Sequence, residues 1–79
     1  YPNPATDNIT VAYALEKTQT VRLHLMDMRG MPLQTLEQGR QQKGEYTTIF
    51  PVANLPVGTY VVVLETSERR LQVFVAVVR

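Results

Sequence analysis

The sequence predicts an all-β fold, an immunoglobulin-like β-sandwich of six to seven antiparallel strands in two sheets. Three observations predict it. Apolar residues recur with period two, the period of a half-buried strand. Short polar or Pro/Gly-punctuated segments separate these runs, as in a sandwich built of many brief strands. No stretch carries the apolar stripe of an amphipathic helix.

In chain order, Ile9, Val11 and Tyr13 alternate with Thr10 and Ala12 in a first strand. Val21, Leu23 and Leu25 alternate with Arg22, His24 and Met26 in a second, one face of which turns inward. Met28-Arg29-Gly30-Met31 breaks that run, and Gly30 accepts a positive φ at no steric cost, so a tight antiparallel turn is expected here. A short strand follows from Leu33 to Leu36. Pro32 stands at its start, where a missing N–H is tolerated. Residues 38–44 are polar with two glycines and read as a loop. Tyr46, Thr48 and Phe50 mark the next strand. The segment 51–58, with two prolines and a glycine around Leu55, reads as a crossover loop with one buried anchor. Thr59–Leu64 and Leu71–Val78 are near-continuous apolar runs, as expected of strands covered on both faces, and Thr66-Ser67-Glu68-Arg69 joins them as a glycine-free hairpin turn.

The 79 residues form one domain, 1–79, of which a folded chain this size buries about 60–65% of its surface. A hydrophobic fraction of 44% and a charged fraction of 19% are those of a folding chain, not a disordered one. The net charge of +1 offers no long-range field for nucleic acid or an anionic membrane. The absence of cysteine excludes disulfides, thiol catalysis and thiolate metal sites. No run approaches the roughly 20 apolar residues of a membrane-spanning helix. The opening at Tyr1, without Met or a signal peptide, reads as a domain excised from the end of a larger polypeptide.

Chemistry-bearing residues are few. His24 is the only histidine and reads as a surface residue on the outer face of its strand. Asp7, Glu16, Asp27, Glu37, Glu45, Glu65 and Glu68 are scattered singly, without the close spacing of a calcium loop. Ser67 lies in a hairpin turn, on a strand expected to be remote from His24, so a nucleophilic triad is not expected. The residues therefore imply no enzyme, no cofactor, no metal, no nucleic-acid partner and no small-molecule substrate.

An ordered set of motifs runs the length of the chain. Tyr1-Pro2-Asn3-Pro4 fixes φ twice and forms a rigid lead-in. Ile9-Thr10-Val11 follows, then a strand closing in Asp27-Met28-Arg29-Gly30, then Gly44-Glu45-Tyr46, then Leu55-Pro56-Val57-Gly58-Thr59-Tyr60. The end is Phe74-Val75-Ala76-Val77-Val78-Arg79, an apolar strand closed by a basic residue. This order resembles the type A C-terminal sorting domain of the type IX secretion system of Bacteroidetes. Where family members often carry a lysine before the last strand, this chain has Arg69, Arg70 and Gln72.

The resemblance implies a label at the C-terminus of a larger cargo protein. The label directs the folded cargo from the periplasm across the outer membrane, to the cell surface or into the medium. It implies as partners the type IX translocon and its shuttle proteins, and a gingipain-like sortase that cuts upstream of Tyr1 and attaches the cargo to an anionic lipopolysaccharide. A retained sorting domain, as in a surface attachment-complex component, is the alternative within the family. An adhesive or carbohydrate-binding sandwich is the alternative outside it, and it calls for a row of exposed aromatic side chains. Gly30 and Gly58 are expected to serve backbone geometry, and Leu55 and Tyr60 the core, with the Tyr60 hydroxyl on a backbone partner. The last strand, 74–79, is expected to carry the signal through an open edge that accepts strand addition.

Overall fold

The computed structural model describes residues 7–78. Among the described residues six strands follow one another: β1 (Asn8–Leu15), β2 (Gln19–Asp27), β3 (Pro32–Gln41), β4 (Gly44–Pro51), β5 (Gly58–Thr66) and β6 (Arg70–Val77). No helix occurs among the described residues. The strands form two antiparallel sheets. The smaller is the pair β1–β4, and the larger has the order β3-β2-β5-β6. The pairing matches an immunoglobulin-like sandwich, with β1 and β4 in the places of strands B and E, and β3, β2, β5 and β6 in those of C′, C, F and G.

The period-two pattern decides which face each sheet buries. Leu23 lies opposite Leu64 and Leu25 opposite Val62 across β2–β5, while Tyr60 lies opposite Val75 across β5–β6. These side chains share one face, and Ile9 and Phe50, paired across β1–β4, close over it. The core is completed by Val52 and Val77. β5 is apolar on both faces because it is the inner strand between β2 and β6; Val61 and Val63, on its outer face, are buried as well. The β5–β6 hairpin turns without glycine because the Thr66 hydroxyl accepts the amides of Glu68 and Arg69 at 3.3 and 3.2 Å, the local bond a short polar side chain offers a turn. The Thr66 amide donates to the Arg69 carbonyl at 2.8 Å.

Three expectations are corrected. Residues 38–41 are not loop but the second half of β3, in register with Gln19–Arg22. β3 ends the described order of its sheet, so its polar residues sit in a strand that needs little apolar alternation. The anchor of the 51–58 crossover is Val52, fully buried, with Leu55 only half-buried. Its amide donates to the Asp7 carbonyl at 2.7 Å and its carbonyl accepts from Leu55 at 3.0 Å. His24 lies on the outer face, as expected, but is only 3% exposed. It stands beside Val63 of β5 and Thr35 of β3, with Arg22 and Glu65 in the next cross-strand row.

The His24 Nδ1 atom is buried without a hydrogen-bond partner, 3.7 Å from a Glu65 carboxylate oxygen. Burial, reinforced by Arg22, lowers the imidazole pKa below its usual value of 6.5, and Glu65 only partly offsets this. The unfolded chain therefore takes up this proton more readily than the folded one. Stability is full above about pH 6.5 and falls as pH drops below it toward the lowered folded value. Denaturant midpoints measured down from neutral pH should show this decline in the natural chain and lack it in His24→Leu, before the carboxylates begin to titrate.

Candidate functional site

The motif positions fall at turns, and their physical work is visible there. Asp27 ends β2, and its carboxylate organises the turn into β3. Oδ1 accepts the amides of Arg29 and Met31 at 2.9 and 3.0 Å, and Oδ2 accepts the Arg29 guanidinium at 2.9 and 3.2 Å. The backbone closes with the Asp27 amide on the Met31 carbonyl and the Gly30 amide on the Asp27 carbonyl, both at 3.1 Å. The Arg29 side chain, then the Met31 amide, holds the Asp27 carboxyl below its ordinary value. Gly30 takes φ of +87°, a region that costs a residue with a Cβ about 1–2 kcal/mol. The Asp-x-x-Gly motif is thus a self-contained backbone device.

The two Gly-x-Tyr motifs form a second device, used twice. The Tyr60 hydroxyl donates to the Pro56 carbonyl at 2.6 Å, four residues upstream. The Tyr46 hydroxyl donates to the Gln42 carbonyl, also four residues upstream. Each ring lies along the start of its strand and pins the incoming loop. Tyr60, buried at the start of β5 after the crossover from the small sheet, occupies the place of the tyrosine corner of immunoglobulin-like sandwiches. Tyr46 stacks on Tyr13 across β1–β4, with centroids 5.3 Å apart, and the Tyr13 hydroxyl reaches Gln41 at 2.7 Å. The expectation for Gly58 is corrected. Its φ lies outside the positive region and an added Cβ would meet nothing within 4 Å, so neither turn strain nor crowding demands glycine there.

The terminal strand is split in its duties. Val75 and Val77 are buried in the core, while Phe74 is about half exposed on the other face, opposite Val61. Phe74, Ala76 and Val78 each take part in a further interaction, so none of them is without a partner. Tyr1, Pro2, Asn3, Pro4 and Arg79 lie outside the described residues.

Among the described residues no three His, Asp or Glu groups converge as metal ligands. Ser67 is nearer to His24 than expected, because β2 and β5 are neighbours, but its hydroxyl bonds the Gln19 side chain at 3.3 Å. On the outer face Glu65 stands between Arg22 and Arg70, at 3.7 and 3.8 Å. Among the described residues the aromatic side chains form no exposed row: Phe50 and Tyr60 are buried, Tyr13 and Tyr46 are half-buried and stacked on each other, and Phe74 alone is about half exposed. A backbone partner for Tyr60 was expected from the sequence; that it is the carbonyl four residues upstream, and that Tyr46 repeats the device, was missed, although the repeated Gly-x-Tyr spacing carried its signal.

A family model described as a secretion system C-terminal sorting domain matches residues 1–77. No curated protein and no solved structure matches the chain.

The two glycines give a direct contrast in thermal unfolding. Gly30→Ala should cost about 1–2 kcal/mol through backbone strain alone, since the space around it is open. Gly58→Ala should be neutral or stabilising by up to about 1 kcal/mol. Tyr60→Phe should cost about 1 kcal/mol, the value of one hydrogen bond whose carbonyl is left without its donor.

Proposed function

The chain belongs to the type IX secretion C-terminal sorting domain family, and from that premise we propose that it acts as a folded address label. It carries a parent protein from the periplasm across the outer membrane, to the cell surface or into the medium. It performs no chemistry of its own. The carrying observation is the family match over 1–77, on a chain whose family motifs are spent on turns and core. A label of this kind is read by shape and backbone, and a rigid sandwich offers both.

The reading extends to the partners. The label meets the type IX translocon and its shuttle proteins, and a gingipain-like sortase cuts upstream of Tyr1 before attaching the cargo to an anionic lipopolysaccharide. The scissile bond then lies outside the sandwich, where a protease reaches extended chain without unfolding it. The intact mass of the exported parent, lower by the 9.0 kDa of this domain, is the signature of that cut. Full mass would mark a retained domain instead.

The position of Val75 and Val77 in the core dictates how the terminal signal is tested. Deleting 75–79 removes two core side chains and unfolds the label, so loss of export would not distinguish fold from signal. Removing Val78 and Arg79 leaves all six strands intact. A reporter with a standard signal peptide and this chain at its C-terminus should reach the surface of a type IX-competent host. The same reporter lacking Val78 and Arg79 should stay in the periplasm. Equal surface display of both would remove the terminal residues from the signal.

A further inference from the structure

The outer face of the large sheet gathers the chain's surplus of positive charge. Gln38, Arg22, Glu65 and Arg70 form one cross-strand row that runs from β3 through β2 and β5 to β6. Arg40 lies on the same face, opposite Thr20. Three arginines therefore share one carboxylate. The other charged side chains, five basic and six acidic, nearly cancel, so the excess sits on this face.

The arginines are held loosely. Arg22 and Arg70 stand 3.7 and 3.8 Å from the Glu65 carboxylate, with side chains 47% and 52% exposed. That is beyond a charge-assisted hydrogen bond, which spans about 2.7–2.9 Å. Arg40 is exposed, and among the described residues no carboxylate pairs with it. An open groove of about 300 Å³ beside Arg22, lined by Thr20, Glu65 and Ser67, leaves room for a side chain to reach its guanidinium. Farther along the same face, Met26, Val61 and Phe74 form an apolar row, with Phe74 about half exposed. Among the described residues this face carries no lysine. Arginine, methionine and phenylalanine without lysine is the composition enriched where two proteins meet.

We propose that this face docks the acidic surface of a folded component of the export machinery. Carboxylates of the partner take up the guanidinium groups of Arg22, Arg40 and Arg70, and apolar side chains beside them cover Phe74. A guanidinium matches a carboxylate through two parallel N–H···O bonds, which a lysine ammonium does not offer. Charge complementarity selects this occupant over those the chain itself could supply. Residues 1–6 contain no carboxylate side chain. A second copy meeting this one about a two-fold axis presents the same face and sets arginine against arginine. The inference rests on the sorting reading and names the surface through which it operates.

The test uses the full parent or reporter in a type IX-competent host. One variant combines Arg22→Gln, Arg40→Gln and Arg70→Gln. A second combines Arg22→Lys, Arg40→Lys and Arg70→Lys, which keeps the charge without the planar guanidinium. The control combines Lys17→Gln, Lys43→Gln and Arg69→Gln, an equal loss of charge in the turns. Limited proteolysis of each full-length protein establishes that the domain is folded. Surface display should fall at least tenfold in the first variant, less in the second, and stay unchanged in the control. A benzoylphenylalanine at position 72, exposed between Arg70 and Phe74, should cross-link to an export component at a surface rich in Asp and Glu. Normal display of the folded first variant, or an equal loss in the control, would overturn the docking face. A cross-link only to a second copy of this chain, to a glycan or to lipid would overturn the assigned occupant. Failure of the natural sequence to reach the surface would instead overturn the sorting reading beneath it.

Discussion

Everything in this molecule depends on covering one face of the central pair β2–β5. Leu23, Leu25, Tyr60 and Val62 lie on that face, and among the described residues it is covered by the two strands of the small sheet, through Ile9 and Phe50, and by Val52 of the crossover. A chain of 79 residues has little core to spare. Burial of a leucine or valine side chain contributes about 1.5–3 kcal/mol, so each contact across the sheets is a large share of a small domain's stability. The same economy explains the turns. The Asp27 carboxylate and the Tyr46 and Tyr60 hydroxyls fix connections that a small core would hold only weakly.

This places the family motifs on the structural side of the ledger. Asp27, Gly30, Tyr46 and Tyr60 act on backbone within a few residues of themselves. Their work is to give the sorting domain a defined shape. Leu71 and Val73 of β6, on the face of the buried Val75 and Val77, remain exposed. The outer face is different in kind. There His24, Glu65, Arg22 and Arg70 form a compact polar cluster over a buried imidazole, which links the stability of the label to pH.

Six strands and most of their inward residues were legible because one face of a strand beside a core must be apolar at alternate positions. That rule located Val21, Leu23 and Leu25, and it located Tyr60 and its need for a partner. It failed at 38–41, where an outlying strand is polar and resembles a loop. It failed at His24, because neighbouring side chains, not strand parity, decide how much water reaches an outer-face residue. It also passed over Val52, a single apolar residue between Pro51 and Ala53 whose burial comes from the crossover between sheets. Gly58 was over-read, since a glycine in a motif need not be a glycine that the backbone requires. The unequal cover of the two sheets depends on strand order, which local patterns do not encode.

The central claim is that this sandwich is what sends its parent outward. The most direct measurement deletes residues 1–79 from the parent gene in its natural host and compares the periplasmic and surface fractions by accessibility to added protease. The account predicts that the shortened parent is folded, active and confined to the periplasm. A shortened parent that reaches the surface in undiminished amount would contradict it.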